Sequence, residues 1–197
     1  KYELVVDLRN TAIPFLVFCK KRTPLFRKFT KTNMRERHFE VLERVEGAGA
    51  CEKETRPRFQ FFNKADEMFA LRALNVAGIL EKGGWILVAP GAASERKRWP
   101  VVYFKEVIRT LHEKTGKKIL LVGTLDERAV AESIFKELPG SVAVLCGDLV
   151  LPETAALIAH ASLVVANDSA IMHLGFELGA PTVGIFGPTD HEKYGHE

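Results

Sequence analysis

Cysteine is scarce in this sequence of 197 residues, and the three that occur, Cys19, Cys51 and Cys146, form no CxxC spacing. This scarcity argues against a zinc site or a disulfide framework and favours a reducing setting. No apolar run reaches the roughly 18 to 20 residues that cross a bilayer, and no cleavable signal opens the chain. We therefore expect a soluble, cytoplasmic protein.

Charge of one sign is not in excess either. Lysine and arginine number 28 against 25 acidic residues, a formal net charge of +3, which is too slight to indicate a nucleic-acid binder. With 47% hydrophobic and 27% charged residues the chain can bury a core, so wholesale disorder is excluded.

Several catalytic motifs are absent from the sequence. There is no GxxxxGK[ST] loop, no GxGxxG after a predicted strand, no GxSxG and no HExxH. ATPase, ordinary dehydrogenase, α/β-hydrolase and metalloenzyme interpretations lose their main support. We expect neither a metal nor a resident cofactor.

From Trp85 onward, short β-branched runs alternate with amphipathic stretches, a pattern typical of βαβ units and a parallel sheet. The predicted strands are Trp85–Ala89, Lys118–Val122, Val142–Leu145, Leu163–Ala166 and Thr182–Phe186. The predicted helices run from Val101 to Gly116 and over Glu127–Leu138, Pro152–His160 and Ser169–Leu178. This order predicts a doubly wound α/β domain.

The chain before Trp85 is less regular. We predict strands at Tyr2–Leu8, as a buried parallel strand, and at Phe59–Phe62, and helices at His38–Val45 and Asp66–Leu80. The glycine pair in Lys82-Gly83-Gly84 predicts a hinge between residues 1–83 and 84–197. Lys1 rather than Met opens the chain, and the sequence stops at Glu197 where an α/β domain would start its next helix. We therefore expect a piece of a longer protein, with an incomplete amino-terminal half and a carboxyl-terminal half that is truncated at its end.

Loops at the carboxyl ends of parallel strands are the places to look for ligand binding. The loop from Pro90 to Pro100 combines the small residues Gly91, Ala92 and Ala93 with cations that include Lys97. Small side chains let backbone N–H groups approach an anion, and a lysine neutralises phosphate. An ordinary surface turn with solvated charges fits the same residues.

The loop Asn167-Asp168-Ser169 opens a helix on which Ser169 and His173 share a face. Free N–H groups of a first helical turn suit a diphosphate, and His173 adds a donor. Because a carboxylate repels phosphate, Asp168 better fits a helix cap or an acceptor of sugar hydroxyls. A capped helix with a satisfied core histidine is the alternative.

Two further loops follow predicted strands. In Gly123 to Glu127, an acid could hold ribose hydroxyls, or Asp126 and Glu127 could simply favour the positive start of a helix. The tight turn from Gly187 to Asp190 is explained by turn chemistry alone.

Taken in order, these loops resemble glycosyltransferase family 9, the ADP-heptose lipopolysaccharide heptosyltransferases. The resemblance rests on Pro90-Gly91 through Lys97-Arg98-Trp99-Pro100, on Asn167-Asp168-Ser169 with His173-Leu174, and on Gly179-Ala180-Pro181-Thr182 leading into Phe186-Gly187-Pro188-Thr189-Asp190. Tyr2 to Leu8 also resembles the "YDLVIDL" strand of the family's amino-terminal half.

The resemblance implies a GT-B fold, an α/β architecture of two Rossmann-like halves with parallel sheets and an incomplete amino-terminal half here. It implies donor-binding roles for Gly91, Ala92, Ala93, Lys97, Glu127, Asp168, Ser169, Ala170 and His173. Lys97 would contact the diphosphate and Glu127 the ribose. No metal is implied, because helix ends and cations stabilise the leaving nucleoside diphosphate.

The implied activity is transfer of a heptose, with inversion, from ADP-heptose to the inner core of lipopolysaccharide. A non-catalytic nucleotide or nucleotide-sugar binding module is the alternative. The family's catalytic base lies in an amino-terminal segment without a counterpart in this chain, so we name no base. Family members often carry hydroxyl residues at the positions of Ala92 and Ala93 and glycine at that of Ala170, which puts the donor's identity in question.

One stretch is strongly basic. Its cations are Lys20, Lys21, Arg22, Arg27, Lys28, Lys31, Arg35 and Arg37, interleaved with Phe26 and Phe29 and opposed only by Glu36. By the resemblance, this stretch would meet a phosphorylated lipopolysaccharide acceptor or the cytoplasmic face of the inner membrane. A solvated loop is the alternative, and nucleic acid is not expected.

Overall fold

The computed structural model describes residues 2–8, 13–23, 28–43, 60–79 and 84–196. Contacts divide the chain into two compact units, one made of residues 1–59, 190–195 and 197, the other of residues 60–189 and 196. These contacts group residues 60–79 with the second unit. Lys82 and Gly83 of the predicted hinge lie outside the described residues, and a boundary at 83–84 remains a proposal.

The first unit contains two short parallel strands, β1 (Tyr2–Val5) and β2 (Cys19–Arg22), with helix α1 (Ile13–Leu16) between them. The predicted strand at Tyr2–Leu8 therefore forms but ends at Val5. The prediction that it is buried was wrong, since Tyr2 is 63% exposed. A two-stranded sheet is too small to cover both faces of its strands.

Helix α2 (Met34–Glu43) also belongs to the first unit and starts four residues before the predicted His38. The side chain of Asn33 accepts a hydrogen bond from the N–H of Arg35 at 2.9 Å, which satisfies a donor that the first turn leaves open. The prediction missed this cap. The end predicted at Val45 lies outside the described residues.

The second unit is built on five parallel strands in the spatial order β5-β4-β3-β6-β7. These are β3 (Trp85–Ala89), β4 (Lys118–Leu121), β5 (Val142–Val144), β6 (Leu163–Asn167) and β7 (Thr182–Ile185). The helices are α3 (Lys64–Val76), α4 (Val101–Thr115), α5 (Arg128–Glu137), α6 (Leu151–Ala159) and α7 (Ala170–Glu177); helix α8 (His191–Tyr194) belongs to the first unit. From Trp85 to Ile185 every predicted strand and helix is confirmed to within one residue at each end.

The sheet buries both faces, as expected of a doubly wound domain. Along β3 all five residues are buried, and they alternate between two core clusters. Leu87 packs in one cluster with residues of α3, α6 and α7, whereas Ile86 and Val88 pack in the other with Phe104 of α4 and Ile134 of α5. The sheet is thereby held rigidly behind the loops at its carboxyl edge.

The strand predicted at Phe59–Phe62 was wrong for its described residues. Phe61 and Phe62 pack against the core without forming a strand. Asn63 then caps α3 in a capping box with Asp66, so this helix begins two residues earlier than predicted. It ends at Val76, before Gly78 adopts a φ of 75°.

Candidate functional site

The candidate site lies at the carboxyl edge of the second unit's sheet, around the neighbouring strands β3 and β6. From β3 the chain winds outward through β4 to β5, and then returns to the other side of β3 to form β6 and β7. The loops after β3 and β6 therefore lead to helices on opposite faces of the sheet. The space between these loops, here called the crevice, is where open α/β sheets bind ligands.

Asn167, the last residue of β6, ties the loops around this crevice together. Its side chain is fully buried; Nδ2 donates to the carbonyl oxygens of Pro90 (2.8 Å) and Gly91 (3.2 Å), and Oδ1 accepts from the N–H of Trp99 (3.1 Å). Both ends of the loop after β3 are thus fixed to β6. The sequence placed Asn167 in a motif but gave it no role of its own.

Lys97 and Asp168 form an ion pair in the crevice, with Nζ 2.7 Å from Oδ2. The Asp168 side chain is 4% exposed and that of Lys97 is 35% exposed. Burial raises the pKa of Asp168, but hydrogen bonds from Lys97 and Thr189 and the charges of Lys97 and His173 outweigh burial. The pKa therefore lies below its ordinary value, and Asp168 is an anion at neutral pH.

Ser169 occupies the N-cap position of α7, but its side chain makes no capping hydrogen bond. The predicted side-chain cap from Asp168 or Ser169 was wrong, because the Asp168 carboxylate is held by Lys97 instead. The Ser169 hydroxyl is buried without a hydrogen-bond partner in the described structure. A buried, unpartnered hydroxyl beside open helix N–H groups is suited to a ligand oxygen.

His173 lies one turn into α7. Its Nε2 is 3.8 Å from Oδ1 of Asp168, and its Nδ1 is 2.9 Å from Nε2 of His196. The side chain is 43% exposed, so it faces the crevice rather than the core. The predicted alternative of a satisfied core histidine is therefore wrong.

Glu127 joins the loops after β3 and β4. Its carboxylate occupies the space that a side chain at Gly91 would fill, since a Cβ there would lie 1.9 Å from Oε1. A Cβ at Gly123 would lie 2.5 Å from Oε2, and Oε2 accepts from the N–H of Thr124 at 2.8 Å. Glycine at both positions thus lets the carboxylate reach the sheet edge, with Oε1 available to a hydroxyl ligand.

The remaining predicted residues differ in exposure. Ala92 is 3% exposed, and its carbonyl accepts a hydrogen bond from Nε of Arg98 at 2.9 Å. Ala93 and Ala170 are exposed, the latter as the first residue of α7. The structure thus places all the predicted donor-binding residues on three neighbouring strand ends and the first turn of α7. Arg98 and Thr189 stood in the motifs of the resemblance without a role of their own, and His196 had no signal in the sequence.

Other chemistries find little support in the described residues. No three histidine, cysteine or acidic side chains in this part of the chain are grouped to hold a metal ion. Burial, followed by the charge of Glu127, raises the pKa of Cys146 to about 12, so this thiol is not a nucleophile at neutral pH. None of the described helices is long and apolar enough to span a bilayer.

A known protein family matches most of this chain. The model of glycosyltransferase family 9 (heptosyltransferase) matches residues 12–196. The chain belongs to glycosyltransferase family 9.

The curated relatives of this chain are named as heptosyltransferases. Lipopolysaccharide heptosyltransferase 3 of Escherichia coli is 32% identical over 123 residues, which are 61% of this chain and 35% of the relative. Lipooligosaccharide heptosyltransferase 2 of Haemophilus influenzae is 32% identical over 105 residues, 51% of this chain and 30% of the relative. The matches thus span about a third of the length of these relatives.

Solved structures confirm the predicted α/β fold of the GT-B type. The family 9 glycosyltransferase of Veillonella parvula has a TM-score of 0.80 at 19% identity, covering 98% of this chain and 59% of that one. ADP-heptose lipopolysaccharide heptosyltransferase II of E. coli has a TM-score of 0.73 at 20% identity, covering 98% and 64%. At this level of identity the likeness concerns the fold alone.

Proposed function

We propose that this chain carries the donor site of a heptosyltransferase, which moves a heptose from ADP-heptose to the inner core of lipopolysaccharide with inversion. Membership of the family supports the reaction class. The observation that carries the assignment of the site is the contact of Lys97 with buried Asp168 at the start of α7.

A diphosphate fits this arrangement although Asp168 is an anion. An ammonium group has three N–H donors, and the ion pair with Oδ2 of Asp168 occupies at most one of them. Lys97 can therefore hold Asp168 and phosphate oxygens at the same time, and it cancels the charge that would repel the ligand. The open N–H groups at the start of α7 and the Ser169 hydroxyl supply further donors.

The same groups serve the proposed chemistry. As an acceptor hydroxyl forms its bond to the anomeric carbon, the bond from that carbon to the diphosphate oxygen breaks and its electron pair leaves with ADP. Negative charge then grows on the oxygen nearest the sugar. Lys97 and the positive end of α7 are fixed in place to stabilise that charge, which makes a metal unnecessary at this site. The acceptor's proton goes to a base that we do not assign.

Two carboxylates fit the hydroxyl groups of the donor. Glu127, fixed over Gly91 and Gly123, has Oε1 placed to accept from a ribose hydroxyl. Asp168 fits the transferred sugar, because its Oδ1 is not the oxygen that Lys97 contacts. His173, with Nε2 3.8 Å from that oxygen, adds a donor on the same side.

We further propose that the first unit meets the acceptor, or the cytoplasmic face of the inner membrane, through the basic stretch. Several of its cations have partners within the first unit. Lys20 pairs with Glu3 at 2.9 Å, Arg22 lies over the ring of Phe15, and Arg37 donates to the carbonyl of Lys31 and lies over the ring of Phe29. Arg27 and Phe26 lie outside the described residues.

Sedimentation with phosphatidylglycerol vesicles at low salt tests this surface. Lys31→Glu should reduce the bound fraction, because attraction to anionic lipid sums over nearby cations. Lys114→Glu, at an exposed position on α4, makes the same charge change in the second unit and should have a smaller effect. Equal effects of the two variants would contradict the proposed surface.

The donor site is tested by calorimetric titration of the chain with ADP, UDP and ADP-heptose. We expect binding that is selective for ADP over UDP, and tighter binding of ADP-heptose than of ADP. Asp168→Asn should reduce the advantage of ADP-heptose over ADP, because this carboxylate is assigned to the sugar. Equal affinity for ADP and UDP, or no binding by a chain that circular dichroism shows to be folded, would overturn the proposal.

A further inference from the structure

His196 makes a contact with the proposed donor site that no sequence motif indicated. Its Nε2 is 2.9 Å from Nδ1 of His173, which is the distance of a hydrogen bond. Its ring also stacks on that of Phe176, with centroids 4.5 Å apart and planes at 11°. Two neighbouring residues of α7 thus fix the place and the orientation of the His196 ring.

The surroundings of His173 determine which imidazole donates. Its other ring nitrogen, Nε2, faces Oδ1 of Asp168 at 3.8 Å. A neutral His173 that carries its proton on Nε2 presents an N–H to this carboxylate, whereas a proton on Nδ1 would present a lone pair to it. The first arrangement is favoured by charge, and it leaves Nδ1 as an acceptor. His196 must then donate from Nε2.

The charged groups in the described structure around this pair agree with that order. Asp168 is an anion held by Lys97 at 2.7 Å, with Thr189 as a second donor. Lys97 contacts Oδ2, so Oδ1 of Asp168 can still act as an acceptor toward His173. The result is a chain of contacts from Lys97 through Asp168 and His173 to His196, in which the ion pair and the contact between the two imidazoles are within hydrogen-bond distance.

We propose that His196 is a positioning residue that holds His173 as the Nε2–H tautomer, with that N–H directed into the donor crevice. The role of this contact in binding rests on the proposed function: His173 would always offer an N–H donor to the sugar or the diphosphate. Its structural part, the tautomer of His173, does not depend on any ligand.

Nitrogen NMR of the chain labelled with ¹⁵N-histidine tests the inference, because the two ring nitrogens of each tautomer give distinct chemical shifts. His196→Phe keeps a ring that can stack on Phe176 but removes the donor. His196→Gln removes the ring but places an amide N–H close to the position of Nε2. His160→Phe is the matched control, since His160, the residue after α6, pairs with Glu67 of α3 at 2.8 Å.

In the unsubstituted chain at pH 7.5 we expect the His173 signals of the Nε2–H tautomer. His196→Phe should give averaged signals and an ADP-heptose affinity about fivefold lower, the loss of one hydrogen bond. His196→Gln should restore both, and His160→Phe should change neither. An Nδ1–H or doubly protonated His173 in the unsubstituted chain, or unchanged signals in His196→Phe, would overturn the inference. If the tautomer is as expected but ADP-heptose does not bind, the proposed function fails and the positioning contact stands.

Discussion

Lys97→Ala is expected to weaken ADP binding about 10- to 100-fold, the cost of losing charge-assisted hydrogen bonds to the diphosphate. Lys97 is the cation that the structure fixes at the start of α7, so the loss should appear in titrations with ADP and be smaller with adenosine, which has no phosphate. Lys97→Arg should retain part of the affinity, because it keeps the charge but changes the geometry.

Lys105→Ala provides the matched control for this prediction. Lys105 also pairs with a carboxylate, with Nζ 2.5 Å from Oε1 of Glu137, but the pair joins α4 to α5 outside the crevice. Its loss should leave the dissociation constant for ADP unchanged within error. If Lys97→Ala binds ADP as tightly as Lys105→Ala does, Lys97 does not contact the diphosphate.

Lys97→Ala should also change how the stability of the fold depends on pH. In the unsubstituted chain the folded pKa of Asp168 is lowered, so this group stabilises the fold above the ordinary aspartate pKa near 4 and loses that contribution as the pH falls through its folded pKa. Lys97→Ala removes the largest of the interactions that lower this pKa, so burial, which raises the pKa, is then opposed only by Thr189 and His173. The free energy of unfolding should fall by about 1 kcal/mol at pH 7, a modest value because Lys97 is partly exposed.

This difference should shrink only as the pH falls through the lowered folded pKa of Asp168, because below it the carboxyl group is protonated in both proteins. Urea denaturation of the two chains at pH 7 and at about pH 2 measures it directly. A difference in stability that stays constant between the two pH values would show that Lys97 contributes packing and not charge pairing.

Asn167→Ala is expected to lower the free energy of unfolding by about 2 to 4 kcal/mol, the second large effect. The substitution leaves the carbonyls of Pro90 and Gly91 and the N–H of Trp99 without their partner at a fully buried position. Leaving buried polar groups unpaired costs about 1 to 3 kcal/mol each, offset in part by relaxation. Urea denaturation with an unchanged m-value checks the result.

Two further variants isolate the role of the Asn167 amide. Asn167→Asp can still accept from the N–H of Trp99 but presents a carboxylate to two carbonyl oxygens, so it should cost at least as much stability as alanine. Asn75→Ala, at an exposed position on α3, should be neutral or slightly stabilising because alanine favours helix. A loss below 1 kcal/mol for Asn167→Ala would show that the loop after β3 holds its shape without β6.

Sequence periodicity was sufficient for the sheet and its helices because both depend on local patterns. Strand β3 is a continuous apolar run, and α4 carries Phe104 and Ile108 one turn apart before Gly116 ends it at a φ of 68°. The sequence pattern failed at Phe61 and Phe62, because this apolar aromatic pair packs on the core without forming a strand. A strand needs a hydrogen-bonding partner, and the residues themselves do not show whether one is present.

The sequence by itself determined the order of strands and helices, the family, and the loops that hold the candidate site, because spacing and residue type are properties of short segments. The tertiary structure decided which side chains meet. Asn167 donates a hydrogen bond to the carbonyl of Pro90, which lies 77 residues earlier in the chain. Lys97 forms an ion pair with Asp168, and the ring of His196 stacks on that of Phe176. Such contacts follow from the order of strands in the sheet, which places distant loops at one edge.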